Sequence, residues 1–168
     1  MIRPTGPADT PALVELALAT GVFKPGELVA LREVLDDYHA HEHSQGHRSI
    51  TLERNGRVVG FAYYAPSAMA DRVWYLWWIA VEPGGQSKGL GTEMLRRAEA
   101  DARAADARLM LIETSSLPHY EPTRQFYMRR GYNLYAVLED YYADGDAMVV
   151  FARRLTPKTA APDGAPPT

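Results

Sequence analysis

The sequence predicts an α+β domain on a mixed, mostly antiparallel sheet. Three observations predict it. Short alternating segments sit back to back across Asn55-Gly56, a pair that favours the tight turn of a hairpin. Four other segments carry apolar residues at helical spacing. Between them, the apolar run at 73–81 (VWYLWWIAV) passes through a glycine-rich break into a helix-forming segment, the signature of a crossover between parallel strands.

Taken in order, Ile2-Arg3-Pro4 reads as a short opening strand. Thr10-Pro11 supplies an N-cap and an N1 proline for a helix over 11–19, which Gly21 ends. A second helix over 27–41 carries the stripe Leu28, Leu31, Val34, Leu35 and Tyr38. Strands follow at 49–54 and 57–66, then at 73–81. A helix over 92–106 places Leu95, Ala98, Ala102 and Ala105 on one face. The run at 109–113 is a buried strand, and 115–121 a loop. A short helix over 122–130 is stopped by Gly131. Tyr132 opens a strand to Leu138, residues 141–146 form a turn-rich connection, and 148–154 is the last strand. The order is β-α-α-β-β-β-α-β-α-β-β. Residues 1–155 form one domain. Residues 156–168, rich in Pro, Ala, Gly and Thr, have little to bury and are expected to be disordered.

The 168 residues suffice for one core, and 46% hydrophobic with 23% charged residues is ordinary for a globular domain. A net charge of −3 argues against a general nucleic-acid binder. The chain has no cysteine, which excludes disulfides, a thiol nucleophile and thiolate metal sites. No apolar run reaches the roughly 18 residues that span a bilayer. The expectation is a cytoplasmic protein with no membrane or nucleic-acid partner.

Chemistry concentrates after the 73–81 strand. A strand, a glycine-rich turn and a helix N-terminus aim backbone N–H groups and the positive end of a helix dipole at one spot, which suits a phosphate. The turn is Gln86-Ser87-Lys88-Gly89-Leu90-Gly91, and the helix opens at Thr92. A nucleotide module of the Gly-Lys-Ser/Thr kind is disfavoured, because the lysine precedes the glycine.

This turn resembles the Gln/Arg-x-x-Gly-x-Gly/Ala signature of the GNAT superfamily of acyl-CoA-dependent N-acetyltransferases. A second block, Thr123-Arg124-Gln125-Phe126-Tyr127 through Gly131-Tyr132, is similar to the family's later helix and the strand start that follows it. The resemblance covers residues 2–155. It implies the GNAT fold, acetyl-CoA as co-substrate, and a primary amine on a small metabolite or peptide as acceptor. It implies that Ile79, Ala80 and Val81 offer backbone groups to the pantetheine arm. Gln86, Ser87, Lys88, Gly89, Leu90, Gly91 and Thr92 would cradle the pyrophosphate. Arg124 and Arg129 would lie near the adenosine end. Tyr127 matches the tyrosine that protonates the departing thiolate in many members. The chain departs from the pattern at Tyr120, where many members carry Asn, and at Thr123, where Ala is common. Any contact made by that Asn must come from Tyr120 itself or from Ser115 or Ser116. A homodimer, common in the family, is left open by the residues.

Glu113 ends an otherwise apolar strand and is the candidate base, or else a solvated strand end paired with Arg108 or Arg124. His39, His43 and His47 stand four apart, but Ser44-Gln45-Gly46 interrupts the helix, so no metal is expected. Alternation places Trp77 and Trp78 on opposite faces, one in the core and one walling the acceptor pocket. Phe23 lies where the family closes over the acceptor, and Glu27, Glu33, Asp36 and Asp37 would draw in a cationic amine or form a solvated face. A domain that binds acyl-CoA without turnover is the alternative to an enzyme.

Overall fold

A computed structural model describes residues 1–85 and 88–157. The chain runs β1 (Ile2–Pro4), α1 (Thr10–Ala19), α2 (Pro25–Ala40), β2 (Arg48–Arg54), β3 (Arg57–Pro66), β4 (Val73–Val81), α3 (Leu90–Ala104), β5 (Leu109–Ser115), α4 (Glu121–Arg129), β6 (Asn133–Ala143) and β7 (Asp146–Arg154). This is the order expected from the sequence. Short 3-10 turns at Pro7–Asp9, Glu42–Gln45 and Pro118–Tyr120 add to it. The strands form one seven-stranded sheet in the order β1-β2-β3-β4-β5-β7-β6. Every neighbouring pair is antiparallel except β4–β5. Among the described residues no helix is long and apolar enough to cross a membrane.

Each face of the sheet has its own core. On one face α1 and α2 bury Leu13, Ala17, Leu31 and Leu35 against Phe61, Tyr63 and Ala80. On the other, Met94, Leu95, Ala98 and Ala102 of α3 pack on Tyr64, Trp74, Leu76, Met110 and Phe151. Each large apolar side chain so buried contributes on the order of 1.5–3 kcal/mol. The Asn55-Gly56 turn has φ values of 51° and 71°, the left-handed conformation that a two-residue hairpin requires.

Several boundaries differ from the sequence expectation. The crossover helix starts at Leu90 and not Thr92, because Gly89 (φ 75°) takes the N-cap. Ala105 is its C-cap and is exposed, outside the apolar face. The connection expected at 141–146 is mostly strand: β6 continues to Ala143, and the turn shrinks to Asp144-Gly145, where the Gly145 N–H donates to Asp140 Oδ1 at 2.7 Å. The tail lies largely outside the described residues, since 158–168 are not among them.

The departure that matters most to the site is in β4. Its register with β3 slips at Tyr63/Tyr64, so that Tyr63 faces Trp78 while Tyr64 faces Leu76. Trp77 is therefore an extra residue, a bulge that breaks alternation. Trp77 and Trp78 do not lie on opposite faces. Trp77 stacks on Tyr63 with ring centroids 5.9 Å apart and planes 8° apart, and Trp78 packs with the same α1–α2 core that holds Tyr63. Neither tryptophan is fully buried. Bulges bend the strand that carries them, and the β4–β5 ladder ends before this one, at Tyr75↔Leu111.

Candidate active site

Because β4 and β5 pair only over Val73–Tyr75, their later residues part, and a cavity of about 730 Å³ opens there. One side is built from Ile79, Ala80 and Val81 of β4, Gly91 and Thr92 of α3, and Phe126, Tyr127, Arg129 and Arg130 around α4. Beyond Tyr75 the edge of β4 toward β5 has no ladder partner among the described residues, so its backbone groups are available to a ligand.

The first turn of α3 closes the end of this half. Gly85 N–H donates to Glu82 O at 2.8 Å, and the Lys88 and Leu90 N–H groups donate to Gly85 O at 3.1 and 3.3 Å, which folds the turn tightly before the helix. A Cβ on Gly85 would meet Leu90 Cδ1 at 2.8 Å and Glu82 O at 2.9 Å, so this glycine, passed over in the sequence, is sterically required. Gly91 and Thr92 lie in the turn where a helix leaves N–H groups without intrahelical acceptors. Gln86 and Ser87 lie outside the described residues. Lys88 and Gly89 are exposed, while Leu90 is buried in the core beneath.

Arg130 is a second residue that sequence reasoning missed. Its Nε and a terminal nitrogen donate to Thr92 Oγ1 at 2.9 and 2.7 Å, and its guanidinium stands 5.3 Å from the Phe126 ring centroid. The α4 C-terminus thus delivers a cation to the α3 N-terminus. Its place beside the Gly131 stop was the available signal. Arg124 is placed differently from Arg129 and Arg130. It is absent from the cavity lining; its guanidinium donates to Ser115 O at 2.7 Å and Leu117 O at 3.0 Å and pairs with Glu121, which fixes the β5–α4 loop. Its carboxylate partner is Glu121 and not Glu113.

Tyr127 is buried, with its ring near those of Tyr132 and Phe151 at 5.9 and 6.1 Å between centroids, and it lines the cavity. Burial pushes its phenol above the ordinary tyrosine value, so it stays protonated through the neutral range.

The other half of the cavity is acidic and aromatic. Phe23 and Trp78 face each other with centroids 5.4 Å apart. Glu113, Glu27, Tyr120, Tyr142 and Asp146 complete this half, with Lys24. The Tyr120 hydroxyl lies 3.5 Å from Glu27 Oε1, so Tyr120 sits toward α2 and the aromatic half. Burial and the nearby carboxylate of Glu113, with Asp146 and Glu27 adding to it, push the Tyr142 phenol up to about 12. Asp146 is a buried carboxylate that sequence reasoning assigned to a turn. Ser115 Oγ donates to it at 2.5 Å and Lys24 Nζ stands 3.7 Å away. Ser116 is engaged as well, since its Oγ accepts from the Ala147 N–H at 2.8 Å. Both serines thus hold β5 against β7.

The histidine stretch lies elsewhere. His43 Nδ1 is 3.0 Å from Tyr38 O, His47 Nδ1 is 2.7 Å from the Tyr63 hydroxyl, and His41 and His47 both pair with Glu42. Among the described residues, no group of three or more His, Cys, Asp or Glu is arranged to hold a metal ion.

Comparison with known proteins places this geometry. No curated protein sequence matches the chain. A protein from Desulfovibrio desulfuricans assigned to the GNAT acetyltransferases is 30% identical and superimposes with a TM-score of 0.88, over 93% of this chain and 99% of that one. The yncA acetyltransferase of Salmonella typhimurium, solved with acetyl-CoA, is 22% identical with a TM-score of 0.77, over 98% of each chain. An aminoglycoside 6'-N-acetyltransferase solved with coenzyme A is 16% identical with a TM-score of 0.74, over 95% of this chain and 99% of that one. At these lower identities the likeness speaks for the fold. The model of the Acetyltransferase (GNAT) family matches residues 16–132, and with the split sheet, the glycine turn and this 30% relative, the chain belongs to that family.

Proposed function

We propose that this acetyltransferase moves the acetyl group of acetyl-CoA to a primary amine, on a small metabolite or peptide, by direct transfer in a ternary complex. One observation carries the reading. A single cavity joins an unpaired strand edge and a helix N-terminus on one side to an acidic, aromatic chamber on the other, with Tyr127 and Glu113 both on its walls. The ligands carried by the yncA and aminoglycoside enzymes support the choice of donor.

The residues present fit the donor. The first-turn amides of α3, with Lys88 and Arg130 nearby, suit a pyrophosphate, and glycine at 91 leaves room for one. The free edge of Ile79, Ala80 and Val81 suits the amides of a pantetheine arm. Acetyl-CoA supplies an acyl thioester already activated for attack. Glu113 takes the proton from the acceptor ammonium, directly or through water, and frees the nitrogen lone pair. A backbone N–H of Ile79, Ala80 or Val81 holds the oxygen as charge develops on it. The freed nitrogen attacks the thioester carbonyl carbon to form the C–N bond, Tyr127 gives its proton to the sulfur as the C–S bond breaks, and the second proton lost by the nitrogen restores the phenol. The chain's lack of cysteine rules out a cysteinyl intermediate.

The test is release of free CoA from acetyl-CoA in the presence of a panel of primary amines, followed with a thiol reagent. Amine-dependent release is expected. Tight acetyl-CoA binding with no turnover on any amine would instead make the chain a sensor. A companion measurement addresses the cradle. Gly91→Leu is expected to weaken CoA binding tenfold or more in titration calorimetry. Gly91→Ala serves as the control, because its one methyl would meet the Phe126 ring at 3.5 Å, an ordinary contact. Unchanged affinity in Gly91→Leu would move the phosphates elsewhere.

A further inference from the structure

Trp77, the extra residue of the β4 bulge, is 47% exposed on the wall of the cavity. Bulges re-aim a side chain, and here the one re-aimed is a large aromatic surface left in water. One face of it is backed. The Tyr63 ring lies parallel to it, and the His47 ring stands at 69° to it with centroids 5.7 Å apart. Tyr63 is 1% exposed, so its hydroxyl needs a partner inside the fold. Among the described residues that partner is His47, through Nδ1. The other ring nitrogen, Nε2, lies 3.1 Å from Glu42 Oε2, and the His47 backbone N–H donates to Glu42 O at 3.3 Å. Burial holds the His47 imidazole below the ordinary histidine value against the pull of Glu42, so the ring is neutral at pH 7. A carboxylate only accepts, so Nε2 carries the hydrogen, Nδ1 accepts, and the Tyr63 hydroxyl donates. Glu42 thus fixes His47, His47 fixes Tyr63, and Tyr63 backs Trp77. Glu42, His47 and Tyr63 are absent from the cavity wall.

We infer that Trp77 is a specificity-determining residue, the plate on which an acceptor lays the carbon body beyond its reacting nitrogen, and that His47 is a positioning residue acting on it through Tyr63. This rests on reading the cavity as the site of amine transfer. The plate belongs to the acceptor and not the donor for two reasons. Trp77 precedes the free edge at Ile79, Ala80 and Val81 on the same strand. Its backing residue Tyr63 packs with the α1–α2 core, the side that carries Phe23 and Trp78.

Two measurements on the full chain test it. In steady-state kinetics, the KM for phenethylamine is expected to lie about tenfold below that for ethylamine, the gain of one aromatic stacking contact. Trp77→Ala removes that difference, while kcat and the KM for acetyl-CoA stay as in the wild type, and Trp77→Phe keeps most of it. His47→Ala raises the KM for phenethylamine by about threefold, as the loss of one hydrogen bond would. Tyr63→Phe does the same, and the double variant adds little. His47→Asn offers Tyr63 an acceptor again and recovers part of the loss. The second measurement needs no turnover: fluorine NMR of the fluorotryptophan-labelled chain, with the Trp77 line assigned by its absence in Trp77→Phe. Phenethylamine alone is expected to shift that line, and His47→Ala to broaden or move it. A shift on adding the amine, with no CoA released from any amine, would sink the transfer reading and keep the plate. An unmoved line together with an unchanged preference in Trp77→Ala would overturn the plate. A Trp77 line identical in wild type and His47→Ala would overturn the positioning role.

Discussion

Tyr127→Phe is expected to lower kcat by on the order of a hundredfold, while the KM for acetyl-CoA moves by no more than roughly threefold. The split follows from where the hydroxyl acts. The Tyr127 ring is packed among Phe126, Tyr132 and Phe151, and phenylalanine keeps those contacts, so the wall of the cavity survives. In the proposed reaction, what disappears is the proton delivered as the thiolate leaves, a contribution present only in the transition state, which depresses kcat and kcat/KM together. The pH profile adds a second readout. Burial lifts the phenol above its ordinary value of 10, so its acidic form is retained and any alkaline fall assigned to Tyr127 must begin above pH 10. Steady-state kinetics on both proteins decide the matter. Wild-type turnover in the variant would hand the proton to water or to another acid.

The arrangement of elements was legible because each rests on a local signal. Asn55-Gly56 marks its turn, the 73–81 run has few polar interruptions, and glycine with a helix former marks the crossover. The bulge at Trp77 was not legible. It contains no glycine, and its cause is the registry between β3 and β4, a non-local property that alternation within one strand cannot reveal. The same holds for β6. Its sequence reads as a strand for seven residues, Tyr132 to Leu138, but continuation to Ala143 depends on pairing with β7 after an irregularity. Within the site, Gly91, Thr92, Glu113 and Tyr127 stand on one cavity because two motifs far apart in sequence come together there. Asp146 and Arg130 escaped notice for a different reason. A carboxylate beside a Gly turn and a cation beside a helix stop both resemble solvent-exposed punctuation, and only burial and partners reveal otherwise.

Glu99 shows how a buried charge secures the helix on which the cradle depends. It lies on the inner face of α3, 3% exposed, between the apolar positions Ala98 and Ala102. The helical pattern alone makes it an anomaly, because an unpaired carboxylate there would cost several kcal/mol. Its partners come from across the fold. Glu99 Oε1 accepts from the Tyr132 hydroxyl at 3.0 Å and from Arg153 at 2.9 Å, Oε2 accepts from the same Arg153 nitrogen at 3.0 Å, and Arg103 stands 3.5 Å away. One side chain therefore ties α3 to β7 and to the turn that opens β6. Glu99→Ala leaves the buried Tyr132 hydroxyl without its acceptor and frees Arg153. Removing one partner of a buried pair costs about 3–5 kcal/mol. Arg153 keeps 36% of its side chain in water and can turn outward, so the lower end applies. A loss of about 3 kcal/mol corresponds to a fall in Tm of roughly 6–12 °C for a chain of this size. Glu99→Gln keeps an acceptor for Tyr132 and gives up the charge, so its fall is expected to be smaller. In Arg153→Ala the Glu99 carboxylate stays buried with only Tyr132 and a distant Arg103, and its loss should approach that of Glu99→Ala. The double variant should lose little more than either single one, since both remove the same link. Thermal melts on the four proteins test this directly: additive losses would show two independent contacts in place of one shared network.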